Sequence, residues 1–304
     1  MKASPASSTP KAKKISKNLA RVAALEAELS DLRAEFDDLE LLYQVTTEHG
    51  EAVENQLAAA NIELLQTQMR LSEELTEATN YIFSILPPPR DGGPRTRWIL
   101  EPSTELGGDS FGYHEIDADH IAFYLLDVCG HGVGAALLSV TAINVLRSAA
   151  LPMTDFRDPG AVLSALNEAF PMEKQNNMYF TIWYGVHQRS SRQLRYASAG
   201  HPPSILCKRD GEVQTLSTPG LAIGMMPDIV YRTKFGEIME GDRLHLVSDG
   251  TYEVETAPGE MMAFADLVEK LRVTKEPELV LEWVRGLNGP GALPDDFSLL
   301  TLEF

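Results

Sequence analysis

The sequence predicts an α+β domain preceded by one long helix. Three observations carry this reading. Strand-like apolar runs follow one another while helical runs are grouped between and after them, so a layered α+β domain is favoured over a βαβ repeat. A seven-residue apolar repeat fills the N-terminal third. Two distant apolar runs, His120–Asp127 and Arg243–Asp249, each stop at an aspartate followed closely by glycine.

Residues 1–14 are rich in Ser, Pro, Ala and Lys and are expected to form a disordered basic tail, since little there can be buried. Residues 15–86 carry the repeat. Ile15, Val22, Leu29, Phe36 and Tyr43 recur every seven residues. Leu25, Leu32, Leu39 and Val53 take the complementary position, with Thr46 as its polar member. Together they make a two-position seam flanked by acidic residues. A second seam runs through Leu57, Leu64, Leu71, Ala78 and Ile85, partnered by Asn61, Gln68, Leu75 and Ile82. Its register is offset by four residues, a stutter that locally unwinds a supercoil. The offset falls near Thr46–Gly50, where β-branched residues and glycine weaken a helix. Two readings stand: a parallel coiled coil that makes a homodimer, or a single amphipathic helix packed on its own domain. Pro87-Pro88-Pro89 ends the helix.

Residues 96–304 read as one domain. Strands are expected at 97–101, 110–116, 120–128, 178–187, 193–198, 203–208, 212–216, 229–235, 243–248 and 297–303. Asp210-Gly211 signals a hairpin. Helices are expected at 133–149, 158–170, 261–273 and 276–287. The helix after Gly132 is nearly free of charge, and Gly134, Ala135 and Ala136 permit close approach to a sheet.

Bulk composition narrows the function. The formal net charge of -18 argues against nucleic-acid or anionic-membrane binding. No apolar run reaches the ~18 residues of a membrane span. The N-terminus lacks an apolar signal core and only Cys129 and Cys207 occur, which points to reduced thiols in a cytoplasm.

The chemistry rests on aspartates. Asp127 and Asp249 end apolar runs, and Gly107-Gly108-Asp109 and Asp295-Asp296 accompany them. One such aspartate is most simply a turn cap. Four, with no Cys/His zinc spacing, suit a hard divalent cation, Mn²⁺ or Mg²⁺. Two ions about 4 Å apart can activate a water and clamp a phosphoryl group. The backbone carbonyls near Val128 and Gly130 are further candidate ligands. His131, between two glycines, is a candidate acid/base or a simple turn histidine. His201, before Pro202, is a positioning or proton-transfer candidate, and Cys129, a nucleophile by type but without an apparent base partner, is expected to be a small packing residue.

The motifs Gly107-Gly-Asp109, Asp127-Val-Cys-Gly-His-Gly-Val-Gly-Ala-Ala-Leu, Ala199-Gly-His-Pro-Pro, Gly241-Asp-Arg-Leu-His-Leu-Val-Ser-Asp249-Gly and Asp295-Asp-Phe-Ser resemble the bacterial stage II sporulation protein E-type serine phosphatases. These belong to the metal-dependent, protein phosphatase 2C-like superfamily. The resemblance spans about 80–304. It implies a four-layer α-β-β-α sandwich and a two-ion Mn²⁺ or Mg²⁺ centre that hydrolyses phosphoserine or phosphothreonine on a protein. It implies that Asp127 bridges both ions, that Asp249 and Asp295 complete one site, and that Asp109 serves the other with the Val128 carbonyl. The substrate it implies is an anti-sigma-factor antagonist. This chain departs from the family in Cys129 for Ser, Ser248 for Thr, and Gly112 where a second Asp is common. An alternative is an inactive phosphatase-fold scaffold acting through its coiled coil. Another is a metallohydrolase for a small phosphoester. A change of pairing register in the stuttered helix is the regulatory device the sequence suggests.

Overall fold

The computed structural model describes residues 10–103, 106–257, 259–289 and 291–304. The chain divides into two units, residues 1–71 and 72–304. Helix α1, Pro10–Ile85, begins inside the segment expected to be a tail; residues 1–9 lie outside the described residues. It runs unbroken through Thr46–Gly50. There the hydroxyls of Thr46 and Thr47 donate to the Leu42 and Tyr43 carbonyls, so the helix absorbs its β-branched residues. Between Ile15 and Leu71 the apolar seam residues are exposed, Phe36 and Leu39 by 65% each.

The second unit begins with the last turns of α1. The helix stops at Ile85, whose carbonyl accepts from Arg147 at 3.2 Å. The proline run is tied down by the Tyr113 hydroxyl, which donates to the Pro88 carbonyl at 2.6 Å. Among the described residues twelve strands and four helices follow: β1 Arg95–Glu101, β2 Ser110–Glu115, β3 His120–Val128, α2 Val133–Arg147, α3 Pro159–Ala169, β4 Phe180–Gln188, β5 Gln193–Ala199, β6 Ser204–Cys207, β7 Val213–Leu216, β8 Lys234–Glu237, β9 Arg243–Val247, β10 Glu255–Ala257, β11 Glu260–Met261, α4 Phe264–Val273, α5 Pro277–Asn288 and β12 Phe297–Glu303.

The strands form two five-stranded antiparallel sheets, ordered β1-β12-β9-β6-β7 and β2-β3-β4-β5-β8, with β10-β11 a separate ribbon. Alternation along the strands creates three apolar layers. Leu126, Val128, Ile182 and Tyr184 pack with Leu138, Leu146, Val162 and Leu166 of α2 and α3. Phe123, Leu125 and Trp183 point the other way and meet Leu244, Leu246 and Leu300 of the facing sheet. That sheet's outer face, with Val247 and Leu299, is covered by Leu267, Leu271, Val280 and Val284 of α4 and α5. The result is the expected four-layer α-β-β-α sandwich with a long helix before it.

Several elements differ from expectation for local reasons. The strand expected at 229–235 forms only at Lys234–Glu237. The Tyr231 amide donates to Ser164 Oγ, and Thr233 Oγ1 accepts from the Gly160 amide at the start of α3. The Tyr231 amide that a ladder would use is thereby committed to α3, and the Thr233 hydroxyl ties the same segment to the helix start. Helix α4 starts at Phe264 rather than 261, because the Met262 amide pairs with the Val254 carbonyl and Asp266 reaches back to the Ala263 amide. The β10-β11 ribbon has no counterpart in the sequence reading. Asp210-Gly211 does form the hairpin between β6 and β7, with Gly211 at φ 96°.

Candidate metal centre

Four chain segments bring carboxylates to one edge of the layer between the sheets. Asp127 lies near the end of β3, directly opposite Thr181 of β4, on the same face as Leu125 and Trp183. Asp109 precedes β2 and is 4% exposed; its Oδ2 has no hydrogen-bond partner. Asp249 opens a 3-10 turn directly after β9, and its Oδ1 accepts from the Gly250 amide at 2.9 Å. Asp295 is exposed at the entrance to β12, and its Oδ1 accepts from the Asp296 amide.

The backbone beneath them is fitted to glycine. A Cβ on Gly108 would stand 2.7 Å from the Val128 carbonyl oxygen and 3.0 Å from that of Gly130. A Cβ on Gly250 would stand 2.3 Å from the Asp296 carbonyl oxygen. Close approach, rather than turn conformation, is therefore what glycine supplies at both positions.

Asp296, left without a role by the motif reading, proves to be the fastener. Its Oδ1 accepts from the Ser103 amide and hydroxyl at 2.8 and 2.9 Å, and its Oδ2 from the Gly108 amide at 2.7 Å. It is 5% exposed. Two of these bonds hold Ser103 and the third holds the Gly107–Asp109 loop against the entrance of β12. Ser248 completes the join by donating to the Asp296 carbonyl and accepting from the Ser298 amide, both at 3.0 Å. A doubled Asp before an apolar run was the available signal: one carboxylate can face the site while its neighbour faces the protein.

The electrostatics are those of unneutralised acids. Burial, then Asp249, Asp295 and Asp296, push Asp127 up to about 8. Burial and the facing Asp127 raise Asp109 well above the carboxylate range, against weaker opposing contacts from the Ser298 and Ser248 hydroxyls. Burial and Asp295 raise Asp249. No Lys or Arg figures among these causes. Among the described residues, no three His, Cys, Asp or Glu side chains stand ready-made around one metal point. The acids instead face one another in mutually repelling pairs. An oxygen-only donor set, an orphaned buried Asp109 oxygen and repulsion that a cation would relieve all fit a hard divalent ion.

The other candidates separate clearly. His131 is exposed on the turn before α2, and its ring makes no hydrogen bond among the described residues. His201 is buried: Nδ1 lies 2.8 Å from Thr181 Oγ1, and burial pulls its pKa down to about 3. It therefore fixes the residue across from Asp127 as a neutral ring. Cys129 Sγ accepts from the Tyr179 amide at 3.2 Å, which is a packing role. Thr181 and Ser103, which touch this framework, escaped the sequence reading because neither belongs to an acidic motif.

Residues 117–304 match the family model "Stage II sporulation protein E (SpoIIE)". The chain is 28% identical over 276 residues to phosphoserine phosphatase RsbU of Bacillus subtilis, covering 88% of this chain and 79% of that protein. In structure it resembles the SiaA-PP2C domain of Pseudomonas aeruginosa, with a TM-score of 0.67 at 23% identity over 78% of this chain and 98% of that one. It also resembles RsbX, whose structure was solved in complex with magnesium, with a TM-score of 0.53 at 18% identity over 70% of this chain and 96% of that one. The order of the aspartate motifs, the two facing sheets that carry them and the matched family model agree: this chain belongs to the Stage II sporulation protein E family.

Proposed function

We propose that the chain removes phosphate from phosphoserine or phosphothreonine of a small regulatory protein, an anti-sigma-factor antagonist, in cytoplasmic signalling. It is a phosphoprotein phosphatase by family, and RsbU, a phosphoserine phosphatase, supports the choice of bond. The carrying observation is the acidic edge itself, where Asp127 is pushed up to about 8 by burial and three further aspartates. Asp127 would be shared by two ions, Mn²⁺ or Mg²⁺, with Asp249 and Asp295 holding one and Asp109 and the Val128 carbonyl the other. Such ions acidify a water and neutralise phosphoryl charge. The residues' own contribution is to hold the carboxylates close together at that edge, where a cation would relieve the repulsion that favours their protonated forms. His201 keeps Thr181 in place, and His131, the exposed imidazole, protonates the departing serine oxygen.

The exposed seam of α1 supports self-association as a parallel homodimer through the N-terminal helix. Among the described residues no helix is long and apolar enough to cross a membrane. The scaffold reading is disfavoured because the ligand carboxylates are all retained. Release of phosphate from a phosphoserine protein should require Mn²⁺ or Mg²⁺, stop on chelation and vanish in Asp127→Asn. Release that persists in chelator would overturn the metal reading.

A further inference from the structure

The sandwich has a second opening at its other end. Asp127 pairs with Thr181 of β4, whereas His187 pairs with Ile121, six residues back along β3. At ~3.3 Å per residue that is roughly 20 Å from the aspartates. A cavity of about 270 Å³ lies there, between the end of β12, the β4-β5 turn and the segment after β8.

His187 lines this cavity while being only 8% exposed. It shares its face of β4 with Trp183 and stands edge-on to Phe304, with ring centroids 4.8 Å apart. Neither ring nitrogen has a hydrogen-bond partner. Burial pulls its pKa down to about 4, so the ring is neutral and offers one donor and one acceptor. An imidazole buried without a partner is costly, and it is the kind of group a ligand satisfies.

The rim carries two arginines, Arg189 and Arg192. Arg189 is fixed by both oxygens of Glu115 at 2.7 Å and by the Ala118 carbonyl. Arg90 binds the same Glu115, so two guanidinium groups share one carboxylate. Arg192 is exposed, sits in a turn at φ 58° and makes no ion pair among the described residues. Glu240 is the one acid lining the cavity. Ile238, Met239 and Phe304 supply an apolar wall. Met239 is exposed and unbranched, so its side chain can adapt to the body of a bound group.

We propose that this opening binds a small organic anion. Its carboxylate or phosphate-type head lies on Arg192 in the field of Arg189. Its apolar body lies on Ile238, Met239 and Phe304, and one polar atom reaches His187. The site is independent of the metal centre.

Amide chemical-shift mapping on the full-length ¹⁵N-labelled chain tests this, with benzoate and phenylphosphonate as probes. At least one probe should give saturable shifts at Gly93, His187 and Arg192. Arg192→Asn removes the cation but tolerates the turn conformation, and should weaken binding about ten-fold. His187→Phe fills the pocket and should do the same, with the melting temperature of each variant recorded as the folding control. Asp127→Asn should leave these shifts unchanged, which separates them from binding at the aspartates. Saturable shifts confined to the aspartate edge, no saturable shift with either probe, or equal affinity in folded Arg192→Asn would overturn the proposal.

Discussion

Asp127 and Asp296 are carboxylates at one edge with opposite duties. Asp127 faces other acids, and its folded pKa of about 8 lies far above the ~3.9 of an unfolded aspartate. The sign follows from linkage. The folded chain holds the proton more tightly, so the stabilisation is complete below about pH 4 and is lost as pH rises toward about 8. Metal-free protein should therefore melt at falling temperature across that window, in calorimetry at constant ionic strength. Mn²⁺ should flatten the fall by displacing the proton, and Asp127→Asn should flatten it without metal. Asp296, by contrast, is saturated with donors. Asp296→Ala strands the Ser103 and Gly108 groups and should cost about 2–4 kcal/mol. Asp295→Asn, at an exposed position, should cost under about 1 kcal/mol yet remove phosphate release. Urea titration paired with a phosphate-release assay distinguishes the two neighbours, and equal destabilisation would refute their division of labour.

At the scale of elements, helix α1 shows most directly how patterning becomes structure. Its exposed Leu29 and Leu32 lie on the heptad seam, among acidic residues such as Glu28, Asp31 and Glu35. A lone helix of this kind gains little from local propensity and needs a partner for its apolar face. Leu29→Glu with Leu32→Glu should weaken association by about a hundred-fold or more, as sedimentation of the full chain would show. Because the flanks are acidic, added salt should tighten association of the unaltered chain. An unchanged sedimentation coefficient would exclude this seam as the contact. The same elements show what a sequence reveals. Runs such as His120–Val128 and Phe297–Glu303 were legible because both alternate faces are largely apolar, with a glycine turn after the first and a bend before the second. Ile229–Thr233 misled because its β-branched residues suit a strand, while its amide and hydroxyl groups serve distant partners in α3. The aspartates were legible from strand-end glycines. The clasp made by Asp296 was not, since Ser103 and Gly108 lie far from it in sequence and no local pattern marks a long-range acceptor.

For the whole molecule, the arrangement of β1 and β12 has a consequence for when the protein becomes competent. The two strands pair in register from Arg95 with Glu303 to Glu101 with Phe297, and β12 also separates β1 from β9. Roughly two hundred residues must be synthesised between the two partners, a long-range closure of the slow-folding kind. The segment that closes the sheet also delivers Asp295 and Asp296. On a ribosome, a nascent chain that stops short of Asp295 lacks the strand that joins β1 to β9, the clasp on the Gly107–Asp109 loop and one of the four acids at the edge. Assembly of the acidic edge is thus coupled to the synthesis and docking of β12, and the aspartates of the earlier strands wait on it.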